Sequence, residues 1–296
     1  MEKILLDTDI GGDIDDAVCL AYLLREPACD LLGITTVCGQ SGVRASVADA
    51  ICRAAGRDVP IVAGMDRPLQ PIPLYPTPDG AEALPDWPHR SYPAGDAPAF
   101  LYRKIRAHPH EVILLGIGCM TNLGALFRRY PDAAGLLKGL VVMNGYFGAA
   151  PLKEAWENWN AWADPLASSL VFSARTALHR AVPLEVTAQL TLKAEQAGRL
   201  LRQDSALMRA VRAFGEAWLQ SSGTLSLHDP LAAAVIFHPE LCTYRRGSVR
   251  VETEREAAMG ATTFREDPGG NVEIAASVDR ERFYRLLSQT LHPADA

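Results

Sequence analysis

The chain has 296 residues, 48% of them hydrophobic, which is enough to bury a large core as one big α/β domain or two smaller ones. Its net charge is −6, its pI is about 5.7 and no dense Lys/Arg block occurs, so nucleic acid is not an expected partner. The opening MEKILLDTD is too short and too charged for a signal peptide, and the longest uncharged runs fall short of the about 20 apolar residues of a membrane span. A cytoplasmic protein without a membrane partner is expected. Cys19, Cys29, Cys38, Cys52, Cys119 and Cys242 form no CxxC pair and read as buried reduced thiols.

KILLD (3–7) predicts a short buried strand. Asp15 to Arg25 predicts a helix with Val18, Leu20, Leu23 and Leu24 on its apolar side. A strand at 31–37, an alanine-rich helix from Val43 to Ala55 and a strand at 59–64 follow. This alternation argues for a parallel sheet covered by helices on both faces. Residues 65–97 break the rhythm with many prolines, as a functional or disordered loop does. It resumes with helix 98–107, strand 111–118, helix 122–129 and strand 139–145. After an irregular stretch at 146–162 come a helix from Asp164-Pro165, a strand at 180–187, two helices around 192–219 and a helix near Asp229. The tail predicts strands near 248–252, 261–264 and 272–276 and a helix at 279–291. No repeat or linker interrupts the chain. The expected fold is a single α/β domain over 1–296 with an open, mostly parallel sheet.

Five aspartates, Asp7, Asp9, Asp13, Asp15 and Asp16, fall within ten positions where the first strand meets the first helix. Carboxylates this dense repel one another unless something compensates. Ligands of parallel α/β sheets sit at the carboxyl ends of strands, where this cluster lies. Gly11 and Gly12 permit a tight backbone path there. Helix capping and solvation account for Asp15, Asp16 and Asp13, but not for Asp7 and Asp9, which follow directly on a buried strand. A hard divalent cation accounts for all of them, Ca²⁺ ahead of Mg²⁺, and no Cys/His spacing suggests zinc.

DTDIGGDIDD resembles the N-terminal signature of the inosine–uridine-preferring nucleoside hydrolases, Asp-x-Asp-x-Gly-x-Asp-Asp, with one extra residue between the glycine and the final pair. GITTVCGQ (33–40), LLGIGCMTN (114–122), NWNAWADP (158–165), LHDPLAAA (227–234) and the tail VETEREAAMGATTFRED match in order, so the resemblance spans essentially the whole chain. It implies an open, mostly parallel α/β sandwich, assembled as a homodimer or homotetramer, that hydrolyses ribonucleosides to ribose and free base. It implies Ca²⁺ held by Asp9, Asp16, Asp229 and the carbonyl of Ile117. Asp15 and Asn160 would bind ribose hydroxyls, His228 would protonate the leaving base, and Asp9 would activate a cation-bound water. Gln40 and Asn158 stand where the family usually has Asn and Glu, so these two candidate ribose contacts depart from the pattern. The family's loop histidine near residue 80 is missing from PTPDGAEAL (76–84).

N-glycoside cleavage passes through an oxocarbenium-like sugar, so the site needs an activated water, a positioned ribose and relief of charge on the departing base. Loss of the 2′-hydroxyl should make deoxyribonucleosides poor substrates. His228-Asp229-Pro230 reads equally well as a helix cap, and Thr121-Asn122 reads as a cap. Trp156, Trp159 and Trp162 read as a sugar- or base-lining loop or as core plugs, and Trp218, Phe214 and Trp87 as core or base-stacking rings. Two other functions fit parts of the pattern. DTD after a strand also resembles haloacid dehalogenase phosphatases, with Asp7 as nucleophile and Asp9 as acid. A non-catalytic nucleoside- or ribose-binding relative is the other.

Overall fold

Strand β1 (Glu2–Thr8) is apolar on both faces, and its side chains sort into two layers. Ile4 and Leu6 enter one hydrophobic core and Leu5 enters the other. Such a strand belongs at the centre of a parallel sheet. The computed structural model describes residues 1–70, 77–150 and 152–293.

After β1 come α1 (Asp15–Arg25), β2 (Cys29–Thr36), α2 (Ser41–Ala54), β3 (Ile61–Ala63), α3 (Ala97–Ala107), β4 (Val112–Gly116), α4 (Thr121–Arg129) and α5 (Ala133–Leu136). The middle of the chain gives β5 (Gly139–Met143), α6 (Trp159–Trp162), α7 (Pro165–Ser173), β6 (His179–Val182), α8 (Leu184–Thr187), β7 (Thr191–Lys193), α9 (Ala194–Leu200) and α10 (Ala206–Ser222). The end gives β8 (Thr224–Ser226), α11 (His228–Phe237), β9 (Cys242–Val251), β10 (Thr262–Glu266), β11 (Val272–Val278) and α12 (Arg280–Leu291).

The sheet has nine strands in the order β10-β9-β11-β6-β5-β4-β1-β2-β3. Its pairings are parallel except those of β9 with β10 and β11. β7 and β8 form a separate two-stranded antiparallel sheet. One core layer packs α1, α2, α9, α10, α11 and α12 against the sheet, and the other packs α3, α4, α5 and α7. The chain steps outward from β1 through β2 to β3, then returns to place β4 on the other side of β1. Strand order reverses there, so the carboxyl ends of β1 and β4 open on a crevice.

Some expected boundaries move. The strand expected at 180–187 stops at Val182, because Pro183 has no N–H for the ladder and a helical turn, α8, follows. The strand expected at 248–252 begins at Cys242, since arginines on its exposed positions hide its apolar alternation. Within the irregular 65–97 segment, Asp79–Asp86 forms a 3₁₀ helix and Ala94 bridges to Ala63; residues 71–76 lie outside those described. Among the described residues no helix is long and apolar enough to cross a membrane.

Candidate active site

The first strand ends in a buried carboxylate. Asp7 accepts hydrogen bonds from Thr35 Oγ1 at 2.5 Å and Asn122 Nδ2 at 2.7 Å, tying β1 to β2 and α4. Burial pushes its carboxyl up to about 7, and its Oδ2 has no partner among the described residues. Asp7 does not line the cavity described next, so it is not placed as a phosphatase nucleophile. Asn122 also donates to the Thr36 carbonyl and accepts from Met65 N, and Thr121 Oγ1 donates to Asp164. The helix cap expected from Thr121-Asn122 is therefore absent: α4 has no side-chain cap, because both side chains serve other partners. Gly11, at φ +107°, turns the chain beneath Pro78 in a conformation that disfavours side chains.

Above the strand ends lies a cavity of about 650 Å³. Its wall includes Asp9, Asp13, Asp15, Asp16, Ile117, Asn158, Asn160, His228 and Asp229. These residues come from the segments after β1 and β4, from the α6 region and from the start of α11. Gln40 is not on that wall. It is exposed at the start of α2, with its backbone in the left-handed region at φ 55° and ψ 41°.

Asp15, Asp16 and Asp229 form the acidic centre. Each offers a carboxylate oxygen within 4.8 Å of the others, and all three are buried. Burial, and after it the neighbouring carboxylates, hold all three well above the usual carboxylate range. Thr8 Oγ1 donates to Asp16, and the Asp229 N–H donates to Asp15 Oδ2 at 3.1 Å. An all-oxygen set of this density suits a hard cation and not zinc. Asp9, expected beside Asp16 and Asp229 as a cation ligand, lines the same wall. Its Oδ2 accepts from Trp159 Nε1 at 3.2 Å.

Three residues of the wall carry signals that sequence reading missed. Arg44, 1% exposed, donates from Nε to the carbonyls of Cys38 at 2.6 Å and Gly39 at 3.0 Å. Its Nη1 donates to the carbonyls of Asp9 and Ile10, so one guanidinium joins the β1–α1 loop to the turn after β2. Its charge favours the ionised forms of Asp9 and Asp16. Nothing in the sequence singles it out. Asp79 and Thr77 also line the wall, which gives the proline-rich loop a place in the site.

Asn160 Nδ2 donates to the carbonyls of Ile117 at 2.7 Å and Met143 at 2.8 Å, so its amide oxygen is what it can offer a ligand. Asn158, also buried, donates to the Gly260 carbonyl at 3.4 Å. His228 Nδ1 lies 2.7 Å from Thr187 Oγ1, and desolvation pushes its imidazole down to about 4. The capping alternative for His228-Asp229 fails, because α11 begins at His228 without a side-chain cap. Of the expected stacking rings, Trp156, Trp159 and Trp218 line the cavity. Phe214 is buried against Trp87, with ring centroids 6.2 Å apart, and both serve the core.

The sequence pattern of the inosine-uridine preferring nucleoside hydrolases matches residues 4–285. The chain is 32% identical over 277 residues to uridine nucleosidase 1 of Arabidopsis thaliana, covering 86% of this chain and 79% of that protein. It is 31% identical over 302 residues to the non-specific ribonucleoside hydrolase RihC of Klebsiella pneumoniae, covering 97% of each. A plant nucleoside hydrolase structure is similar at a TM-score of 0.79 and 26% identity over 98% of both chains. A purine-preferring ribonucleoside hydrolase from Gardnerella vaginalis shares the fold at a TM-score of 0.85 and 23% identity, covering 99% of this chain and 98% of its own. The chain is a nucleosidase that belongs to the inosine-uridine preferring nucleoside hydrolase family.

Proposed function

We propose that the protein hydrolyses ribonucleosides of more than one base to ribose and free base, and depends on a hard divalent cation, Ca²⁺ first. The observation that carries this reading is the convergence of Asp9, the Asp15–Asp16–Asp229 trio, two asparagines and a histidine on one cavity. Base breadth is supported by an apolar, tryptophan-lined side, because stacking tolerates any aromatic ring. It is supported too by similarity to both a uridine nucleosidase and a non-specific ribonucleoside hydrolase.

Asp9, Asp16, Asp229 and the Ile117 carbonyl would hold the cation, with Asp15 another carboxylate within reach of Asp16 and Asp229. When bound, it supplies a Lewis acid that acidifies water and fixes vicinal hydroxyls. Asp9 takes the proton of the attacking water as general base. Asp15 and the Asn160 amide oxygen accept from ribose hydroxyls, and this positioning makes the attack effectively intramolecular. Asn158 offers its amide at the same wall. His228 supports the departing base. Its Nδ1 lies 2.7 Å from the Thr187 hydroxyl oxygen, and desolvation pushes its imidazole down to about 4.

The test is ribose release from inosine, adenosine, guanosine, uridine, cytidine and their 2′-deoxy forms, with and without a calcium chelator. Chelator-sensitive release from purine and pyrimidine ribonucleosides, with deoxy forms slow, is expected. No release from any of them with Ca²⁺ present would leave a ribose-binding protein instead, and equal turnover of deoxy forms would remove the hydroxyl contacts.

A further inference from the structure

We infer that Asp79 is a specificity-determining residue, through which the protein favours ribonucleosides whose base carries an exocyclic amino group over their oxo counterparts. This deepens the ribonucleoside hydrolase reading and rests on it. Asp79 opens the 3₁₀ helix Asp79–Asp86 and lines the same cavity as Asp15, Asp16 and Asp229. Two contacts fix it there. The Gly80 N–H donates to the Gly11 carbonyl at 2.9 Å, in the turn between β1 and α1. On the other side, a Cβ on Gly80 would run into the Phe214 carbonyl of α10. The start of the 3₁₀ helix is therefore clamped between the turn that carries the aspartates and α10. Phe214 and Trp218 lie one helical turn apart on α10, and Trp218 and Asp79 share the cavity wall.

A ribose held by the acidic trio leaves the base to the tryptophan-lined side, where Asp79 meets its edge. Asp79 Oδ1 accepts from Thr77 Oγ1 at 2.7 Å, which orients the carboxylate and leaves Oδ2 for a ligand. A carboxylate accepts hydrogen bonds and does not donate them. Cytosine and adenine project an amino N–H beyond the ring, and a carboxylate is a natural partner for the cytosine amino group. Uracil and hypoxanthine place a carbonyl oxygen at the same position, and its lone pairs repel a carboxylate. Their ring N–H lies beside that carbonyl and does not remove the repulsion. Stacking on Trp218 accepts any ring, so Asp79 sets a preference inside the purines and inside the pyrimidines.

Asp79→Ala removes the acceptor, and Asp79→Asn supplies an amide that can donate to uracil O4. Asp79 is exposed, so neither change opens the core. The readout is kcat/KM for cytidine over uridine and for adenosine over inosine. Comparing each ratio between variant and parent cancels the intrinsic reactivity of the leaving base. A hydrogen bond to a charged group is worth about tenfold or more, so both ratios should fall by about tenfold in Asp79→Ala. In Asp79→Asn the cytidine-to-uridine ratio should fall at least as far, through a gain on uridine. Ratios that rise or stay within about twofold of the parent overturn the role of Asp79, as does an equal loss on all four nucleosides. A parent chain that releases no ribose from any of them overturns the hydrolase reading beneath it.

Discussion

The backbone N–H of Asp229 donates to Asp15 Oδ2 at 3.1 Å, joining residues 214 positions apart. That bond brings the first turn of α11 onto the first turn of α1, and the acidic trio exists only because the two helix starts meet. Three buried carboxylates held this close destabilise the fold until a cation neutralises them. Removing Ca²⁺ should therefore lower the melting temperature. A ligand at a hundredfold its Kd adds about 2.7 kcal/mol, or about 4 °C for a chain of this size. Asp229→Ala should abolish the Ca²⁺-dependent part of the shift in a calorimetric scan. Identical melting with and without chelator would contradict a cation in this cage.

His179 sets a pH dependence away from the site. It is 2% exposed on β6, its Nδ1 lies 3.2 Å from the Ala174 carbonyl, and burial pushes it down from 6.5 to about 4. As pH falls through 6.5 the unfolded chain binds a proton that the folded chain refuses until about 4. Stability from this group is intact above the unfolded value and is lost as pH falls across that window, by about 3 kcal/mol at its foot. His179→Phe, which can stack on Phe172 as the imidazole does, should flatten the acid side of a urea-midpoint profile between pH 7 and 4.5. Profiles of equal slope for variant and parent would refute it.

Trp218 is 36% exposed and lines the cavity, an unusual exposure for so large an apolar ring. If it is a platform for the base, Trp218→Ala should lower kcat/KM by about tenfold for purine and pyrimidine nucleosides alike, since stacking reads any π-face. A loss confined to one base class would show edge recognition instead.

Arg44 holds four main-chain carbonyls from two loops. Arg44→Met keeps the aliphatic stem but strips those acceptors of their donor. Chemical denaturation at saturating Ca²⁺ should then show a loss of about 3 kcal/mol or more. A change below about 1 kcal/mol, the range of surface substitutions, would mean that water replaces the guanidinium without cost.

What the sequence carried and what it hid follow from the range of each interaction. β1, α1 and the aspartate run between them are local signals, an apolar stretch, a helical period and a charge density, and the structure has them where the pattern puts them. The tryptophans of NWNAW were readable as a lining loop, but not that the Trp159 indole would find Asp9, because nothing local encodes a contact 150 positions long. Nothing in the sequence singles out Arg44, and only the meeting of two loops turns its position into a cage of carbonyls. Gln40 sits inside a recognisable motif, yet its backbone is left-handed and the residue exposed, a conformation that no residue-type pattern announces. The helix at 184–187 hides within an expected strand because LEVT continues the apolar run, and only Pro183 marks the break.

The most direct measurement is the turnover of Asp9→Asn on the best ribonucleoside at saturating Ca²⁺, alongside its Ca²⁺ affinity. Asparagine keeps the shape and can still accept from Trp159, but it cannot take a proton. The account predicts a fall in kcat of about 10²–10⁴-fold, the usual worth of general base catalysis, with Ca²⁺ still bound. Turnover close to that of the parent chain would contradict Asp9 as the base.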